Sequence, residues 1–100
     1  MADKLLFHVQ MDVRRPHDIA VEAWATLVGK EREMAQRLQH AGTWRHLWRL
    51  VGQYKNFSIF AVDSNSELHE ILSALPLFPY MTVQVTPICR HPSSVHDDDR

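Results

Sequence analysis

Apolar and polar positions alternate at the start of the chain and then change to a helical spacing. Residues 5–13, LLFHVQMDV, alternate in period two, which predicts a half-buried strand. Pro16 bars a simple continuation of that strand. From about Ile19 to Ala41, apolar residues recur every three or four positions, which predicts an amphipathic helix. Gly42 stands where a left-handed C-cap belongs.

The remaining pattern predicts four more elements. They are a strand at 43–51, a strand at 54–62 (YKNFSIFAV), a helix within 63–76 and a strand at 81–85 (MTVQV). Ser64 and Glu67 have the spacing of a capping box at the start of the second helix.

The resulting order, βαββαβ, predicts a ferredoxin-like α+β sandwich. In this fold, a four-stranded antiparallel sheet carries two helices on one face. The other sheet face is left open, and an open face with apolar residues favours a partner subunit. Residues 1–86 are predicted to form the domain. Residues 87–100 have no clear period and form either a disordered tail or a C-terminal arm that docks elsewhere.

Composition and charge exclude several classes of protein. The chain has 100 residues, 45% of them hydrophobic, which suits one folded domain. A formal net charge of -1 argues against a general electrostatic nucleic-acid binder. No apolar run approaches the length of a membrane span, and the first residues show no signal-peptide pattern. The single cysteine, Cys89, excludes a disulfide within one chain and fits a reducing compartment, so we expect a cytoplasmic protein.

Glu31 is the most informative position, because it lies within the apolar stripe of the first predicted helix. Burial disfavours the charged form of a carboxylate, so the pKa of Glu31 is expected to rise toward values useful for proton transfer. The alternative is a structural ion pair between Glu31 and an arginine of the sheet.

The segment GTWRHLWRLVG, residues 42–52, predicts a strand with an unusual composition. Unbroken alternation would place Trp44, His46 and Trp48 on one face. It would place Arg45 and Arg49 on the other, about 13 Å apart at strand rise. Two such arginines suit an anionic ligand, since each guanidinium can fork onto a carboxylate. The alternatives are salt bridges to Glu31 or Asp63, or arginine stems lying over aromatic rings.

Other polar residues give weaker indications. Tyr54 and Asn56 can donate hydrogen bonds to an oxyanion, but both also suit a turn. His46 can act as an acid or base near neutral pH, or as an ordinary hydrogen-bonded histidine. The seven histidines have no recognised metal-ligand spacing, so no metal site is predicted. There is no glycine-rich phosphate loop and no nucleophile elbow.

Several long motifs together resemble one known family. AQRLQHAGTWRHLWRLVGQYKNFSIF, LPLFPYM and CRHPSSVHDDDR, with LFHVQM and LHEIL, are similar to the muconolactone isomerase family of bacterial aromatic catabolism. The resemblance spans nearly the whole chain and is loosest between Asp12 and Gly29. It implies a ferredoxin-like subunit, a homo-oligomer that is a decamer in the family, and C-terminal arms that reach neighbouring subunits. It also implies that no cofactor is needed.

The reaction implied by the resemblance converts muconolactone to the 3-oxoadipate enol-lactone, a step of the β-ketoadipate pathway of catechol degradation. A base removes a proton, a dienolate forms, and reprotonation shifts the double bond. The candidate catalytic residues are Glu31 as base, with His46 and Tyr54. The candidate substrate-binding residues are Arg45, Arg49, Trp48, Asn56 and His91.

Two alternatives to this function stay open from the sequence. The first is an isomerase or dehalogenase for chloro- or methyl-substituted muconolactones, because pocket shape decides which ring substituent is accepted. The second is a non-catalytic ligand-binding module, since a fold alone does not fix a function.

Overall fold

A computed structural model describes residues 3–96 of the chain and contains the elements in the predicted order. They are β1 (Leu5–Val13), α1 (Val21–His40), β2 (Trp44–Arg49), β3 (Lys55–Val62), α2 (Asn65–Ser73), a short 3-10 helix (Phe78–Tyr80) and β4 (Met81–Ile88). The four strands form one sheet in the order β2-β3-β1-β4, and every neighbouring pair is antiparallel. The predicted ferredoxin-like α+β fold is therefore confirmed.

The core lies between the two helices and one face of the sheet, which we call the inner face. Alternation along β1 sends Phe7, Val9 and Met11 into this layer, where each is almost fully buried. From the helices, Ala35 of α1 and the leucines of α2 pack against them. The full buried cluster is Phe7, Val9, Met11, Ala35, Trp44, Phe60, Val62, Leu68, Leu72 and Leu75.

The end of α1 and the start of α2 lie where local sequence signals predicted them. The N–H groups of Gly42 and Thr43 donate to the carbonyls of Gln39 and Leu38, and Gly42 adopts a φ of 83°. This is a Schellman cap, which favours glycine because a side chain is strained at positive φ. At α2, the Ser64 hydroxyl accepts a hydrogen bond from the Glu67 N–H at 3.1 Å, as a capping box predicts.

Strand β2 contains an irregularity that the alternation did not predict. Trp44 pairs with Phe60, but His46 pairs with the adjacent Ile59, so Arg45 is an extra residue in a β-bulge. Trp44 and His46 therefore lie on opposite faces, and the prediction that they share a face is wrong. Arg45 and Arg49 were predicted to share a face from the same unbroken alternation. The bulge interrupts that alternation, so it no longer supports a common face for the two arginines.

The last strand is longer than its predicted core, MTVQV. Strand β4 continues through Pro87 and Ile88, which pair with Phe7 and Leu6 of β1. A proline is tolerated here because β4 is an edge strand. After the strand, the Arg90 guanidinium donates to the carbonyls of Ser94 and His96, at 3.0 and 3.2 Å, and holds a compact turn. The end of the predicted arm, residues 97–100, lies outside the described residues.

Candidate functional site

Glu31 is half-buried in the middle of α1, and a backbone amide fixes its carboxylate. The Leu77 N–H donates a hydrogen bond to Glu31 Oε1 at 2.9 Å, from the connection between α2 and β4. Burial raises the pKa of Glu31 above its ordinary value of 4.5, and the bond from Leu77 lowers it by a smaller amount. Within residues 3–96, no cationic side chain forms an ion pair with this carboxylate. The expected rise in pKa is confirmed, and the alternative of an ion pair with a sheet arginine is not formed in this range.

Polar side chains follow one row across the inner face of the sheet, the layer onto which α1 packs. Arg49 of β2 pairs with Asn56 of β3, and Asn56 pairs with Met11 of β1. Side chains at paired positions share a face, so Arg49 and Asn56 lie on the same side as the buried Met11. Glu31 lies on the half-buried face of α1. The amide and the guanidinium therefore share the sheet face against which α1, the helix that carries Glu31, packs.

The Asn56 amide is held by two contacts. Ser58 Oγ donates to Asn56 Oδ1 at 2.7 Å, and Asn56 Nδ2 lies 3.5 Å from Met11 Sδ. Ser58 has no exposed surface and is the buried polar residue of the described core. An amide whose oxygen is engaged in this way keeps its NH₂ group for donation on the opposite side.

Arg49 is oriented by the hairpin between β2 and β3. Its Nη1 donates to the Gln53 carbonyl at 3.1 Å, and its guanidinium carbon lies 5.8 Å from the centroid of the Tyr54 ring. Arg49 thus lies over an aromatic ring, as one predicted alternative had it, although its guanidinium and not its stem makes the recorded contact. Tyr54 itself lies in the turn and is 81% exposed. Asp63, the other carboxylate considered as a salt-bridge partner of the strand arginines, instead forms an ion pair with Lys4 at 2.7 Å.

The other predicted site residues do not join this cluster within one chain. His46 and Trp48 pair with Ile59 and Phe57, so they occupy the opposite, open face of the sheet. Trp48 is 63% exposed there. Arg45 lies in the bulge. His91 follows β4, and its Nδ1 accepts a hydrogen bond from the Ser93 N–H at 3.0 Å.

Two groups at the site were missed by the sequence analysis. Ser58 carries a usable signal, because it is a hydroxyl at an inward position of an otherwise apolar strand, FSIF. The Leu77 N–H carries none, since a main-chain donor does not depend on the side chain at its position. Only the folded connection brings it to Glu31.

A large groove lined by described residues lies elsewhere. It has a volume of about 1130 Å³ and is bordered by the start of β1, one side of α2 and the end of β4. Its lining includes Leu5, Leu68, Val85 and Ile88, together with polar residues such as Lys4, His69 and Arg90. Glu31, Arg49 and Asn56 do not line it. We place the candidate site at Glu31, because its half-buried carboxylate has a raised pKa.

Within residues 3–96, no group of three or more histidine, cysteine, aspartate or glutamate side chains is arranged to hold a metal ion. No helix in the same range is long and apolar enough to cross a membrane.

Comparison with known proteins agrees with the fold. The model of the family described as muconolactone delta-isomerase matches residues 5–94. "Muconolactone Delta-isomerase 1" of Acinetobacter lwoffii is 56% identical over 95% of this chain and 99% of its own length. "Muconolactone Delta-isomerase" of Pseudomonas aeruginosa is 52% identical over 96% and 100%. A crystal structure of muconolactone isomerase superposes with a TM-score of 0.88 at 55% identity, covering 95% of this chain and 99% of that one. The chain belongs to the muconolactone Δ-isomerase family.

Proposed function

We propose that this protein isomerises muconolactone to the 3-oxoadipate enol-lactone, with Glu31 as the proton-transfer base. The observation that carries the assignment of the base is the half-buried Glu31 carboxylate, whose pKa burial raises and whose position the Leu77 N–H fixes. A base of raised pKa lies nearer the operating pH, where general acid–base catalysis is most effective. Members of the family to which the chain belongs carry this activity in their names.

The reaction is a double-bond shift by two proton transfers. Glu31 removes the proton from the ring carbon that carries the acetate arm. The electron pair moves through the ring alkene onto the lactone carbonyl and gives a dienolate. The protonated Glu31 then returns a proton to the carbon next to the carbonyl. One carboxylate serves both steps if the dienolate stays in place and water is excluded.

Asn56 and Arg49, which are paired on the inner face, are assigned to binding the substrate in this proposal. Asn56 donates from Nδ2 to the oxygen that becomes negative in the dienolate, which is the electrostatic stabilisation such a step requires. Arg49 holds the acetate carboxylate, and Tyr54 keeps the guanidinium in place through their stacked contact. The chemistry moves only protons, so the proposal includes no cofactor.

The remaining candidates enter the proposal through assembly. His46 and Trp48 lie on the open face, and Arg45 and His91 lie in the bulge and after β4, so we assign them to contacts with substrate or with a neighbouring subunit in a homo-oligomer. We propose a decamer whose residues 87–100 form an arm on a neighbouring subunit. Exposed Trp48 supports association, because an aromatic ring in water gains from burial. We also propose a cytoplasmic location, which suits the exposed thiol of Cys89.

The function is tested by following the ultraviolet absorbance of muconolactone with wild-type protein and with Glu31→Gln. Wild type is expected to convert the lactone, and Glu31→Gln to be slower by roughly 10²–10⁴-fold, the range for losing a general base. Glu33→Gln is the matched control, because Glu33 is exposed on the same helix. For wild type, kcat/KM should rise with pH through an apparent pKa above 4.5, since the ionised carboxylate is the base. Glu31→Gln with wild-type turnover would remove Glu31 from the mechanism, and an inactive wild type would refute the proposed reaction.

Assembly is tested by native mass spectrometry of wild type and Trp48→Glu. A charge at this open-face position should dissociate the oligomer if that face is buried between subunits. Val51→Glu is the control, since Val51 lies in the β2–β3 turn and is 94% exposed. A monomeric wild type, or an oligomer unaffected by Trp48→Glu, would contradict this part of the proposal.

A further inference from the structure

Ser58 is a hydroxyl placed where an apolar side chain would pack equally well. It has no exposed surface, and its cross-strand neighbour on the inner face is the fully buried Val9. Burying a hydroxyl is unfavourable unless it is hydrogen-bonded. The Ser58 hydroxyl donates a hydrogen bond to Asn56 Oδ1 at 2.7 Å, so Asn56 satisfies the buried hydroxyl.

The two contacts of the Asn56 amide define its orientation. A thioether sulfur accepts hydrogen bonds but cannot donate them, so the group facing Met11 Sδ at 3.5 Å must be the amide NH₂. The carbonyl oxygen then faces Ser58, whose hydroxyl is able to donate to it. Without Ser58, only the weak contact to the Met11 sulfur would hold the amide, which could then rotate by half a turn and present its oxygen where the NH₂ group now lies.

We propose that Ser58 is a positioning residue that keeps the Asn56 NH₂ group directed toward the developing dienolate oxygen. This inference rests on the proposed function, because it assigns Ser58 a purpose only if Asn56 donates to that oxygen. An amide oxygen in the same place would repel the dienolate, so a fixed orientation favours the transition state over the ground state. Ser58 acts entirely through Asn56 and does not touch the substrate.

The test is a double-mutant cycle of Ser58→Ala and Asn56→Ala, with kcat and KM measured on muconolactone. Asn56→Ala should lower kcat by roughly 10²-fold, the effect of removing one oxyanion donor. Ser58→Ala should lower kcat by about tenfold, with KM changed less than about twofold, because the amide is present but only partly in the productive orientation. In the Asn56→Ala background, Ser58→Ala should have no further effect on kcat.

Val9→Ala is the matched control for lost packing. It removes a buried side chain beside Ser58 without touching the amide, so it should lower thermal stability and leave kcat unchanged. If Ser58→Ala does not give folded protein, Ser58→Cys, a weaker donor of similar size, takes its place in the same cycle.

The outcomes separate this inference from the proposal on which it rests. Wild-type kcat in Ser58→Ala, or equal losses from Ser58→Ala with and without Asn56, would overturn the positioning role alone. Wild-type kcat in Asn56→Ala would overturn the role of Asn56 and, with it, that of Ser58. A wild type that leaves muconolactone unchanged would overturn the proposed function first.

Discussion

Replacing Glu31 by glutamine should make the protein more stable at neutral pH while it loses activity. Burial raises the pKa of Glu31, which means that the native state binds this proton more tightly than the unfolded chain does. Its contribution to stability is therefore greatest below the ordinary value of 4.5. It is lost as the pH rises through the raised native value, and above that value the buried charge is a net penalty. Glutamine removes the charge, and its Oε1 can still accept the hydrogen bond from Leu77.

The magnitude follows from the partial burial of the side chain. Each unit of raised pKa corresponds to about 1.4 kcal/mol, and residual solvent contact reduces the benefit. We expect the free energy of unfolding of Glu31→Gln to exceed that of wild type by on the order of 1 kcal/mol at pH 8, with the difference shrinking toward pH 4.5. In a domain of this size, 1 kcal/mol shifts Tm by ~4–8 °C.

Two further variants isolate the cause. Glu31→Leu also removes the charge but leaves the Leu77 N–H without its acceptor, so it should be less stable than Glu31→Gln by about 1–3 kcal/mol. Glu33→Gln, exposed on the same helix, should stay within about 0.5 kcal/mol of wild type at both pH values.

The assay is urea unfolding followed by circular dichroism at pH 5 and pH 8, at one fixed protein concentration. Fixing the concentration matters because association adds to apparent stability. A Glu31→Gln variant no more stable than wild type at pH 8 would refute the reasoning about burial. A Glu31→Leu variant as stable as Glu31→Gln would refute the role given to the Leu77 amide.

Three shorter predictions concern the helix ends and the substrate. Gly42→Ala should lower the free energy of unfolding by about 1–2 kcal/mol, because Gly42 has a φ of 83°. Gly29→Ala should raise the free energy of unfolding by about 0.8–1 kcal/mol, because Gly29 lies inside α1 with nothing within 4 Å of an added Cβ. Thermal unfolding of both variants compares the two signs. Ser64→Ala should cost about 1 kcal/mol in the same measurement, since the N-terminus of α2 loses its cap. Arg49→Ala should raise KM for muconolactone by roughly 10–100-fold, the effect of losing a charged hydrogen bond, and an unchanged KM in steady-state kinetics would exclude Arg49 as the carboxylate ligand.

The fold could be predicted because its determinants are local. The alternation of β1, the stripe of α1, Gly42 and the Ser64 cap each act within a few residues, and all agree with one topology. Glu31 was found by the same kind of local argument, as a charged residue inside an apolar stripe.

The site could be predicted only in part, because it depends on register between strands. The bulge at Arg45 moves His46 to the open face, and nothing in the alternation of GTWRHLWRLVG marks it. From the sequence, Asn56 was compatible with a turn as well as with the site. Its pairing with Met11 in the folded sheet places it on the inner face. The Leu77 amide reaches Glu31 across 46 positions of sequence, which composition does not encode. The Ser58 hydroxyl lies two residues from Asn56 on the same strand, so the alternation of that strand could have placed the two side chains on one face.

The bulge also determines where this strand can change length. Removing one residue from within 46–49 would turn every side chain between the deletion and the hairpin to the opposite face. Removing Arg45 would instead leave Trp44 opposite Phe60 and His46 opposite Ile59, as successive pairs of a regular ladder. Deletion of the bulge residue is therefore compatible with the fold. Deletion of any one residue within 46–49 is not. Relatives shorter by one residue in this strand should have lost the residue at the bulge.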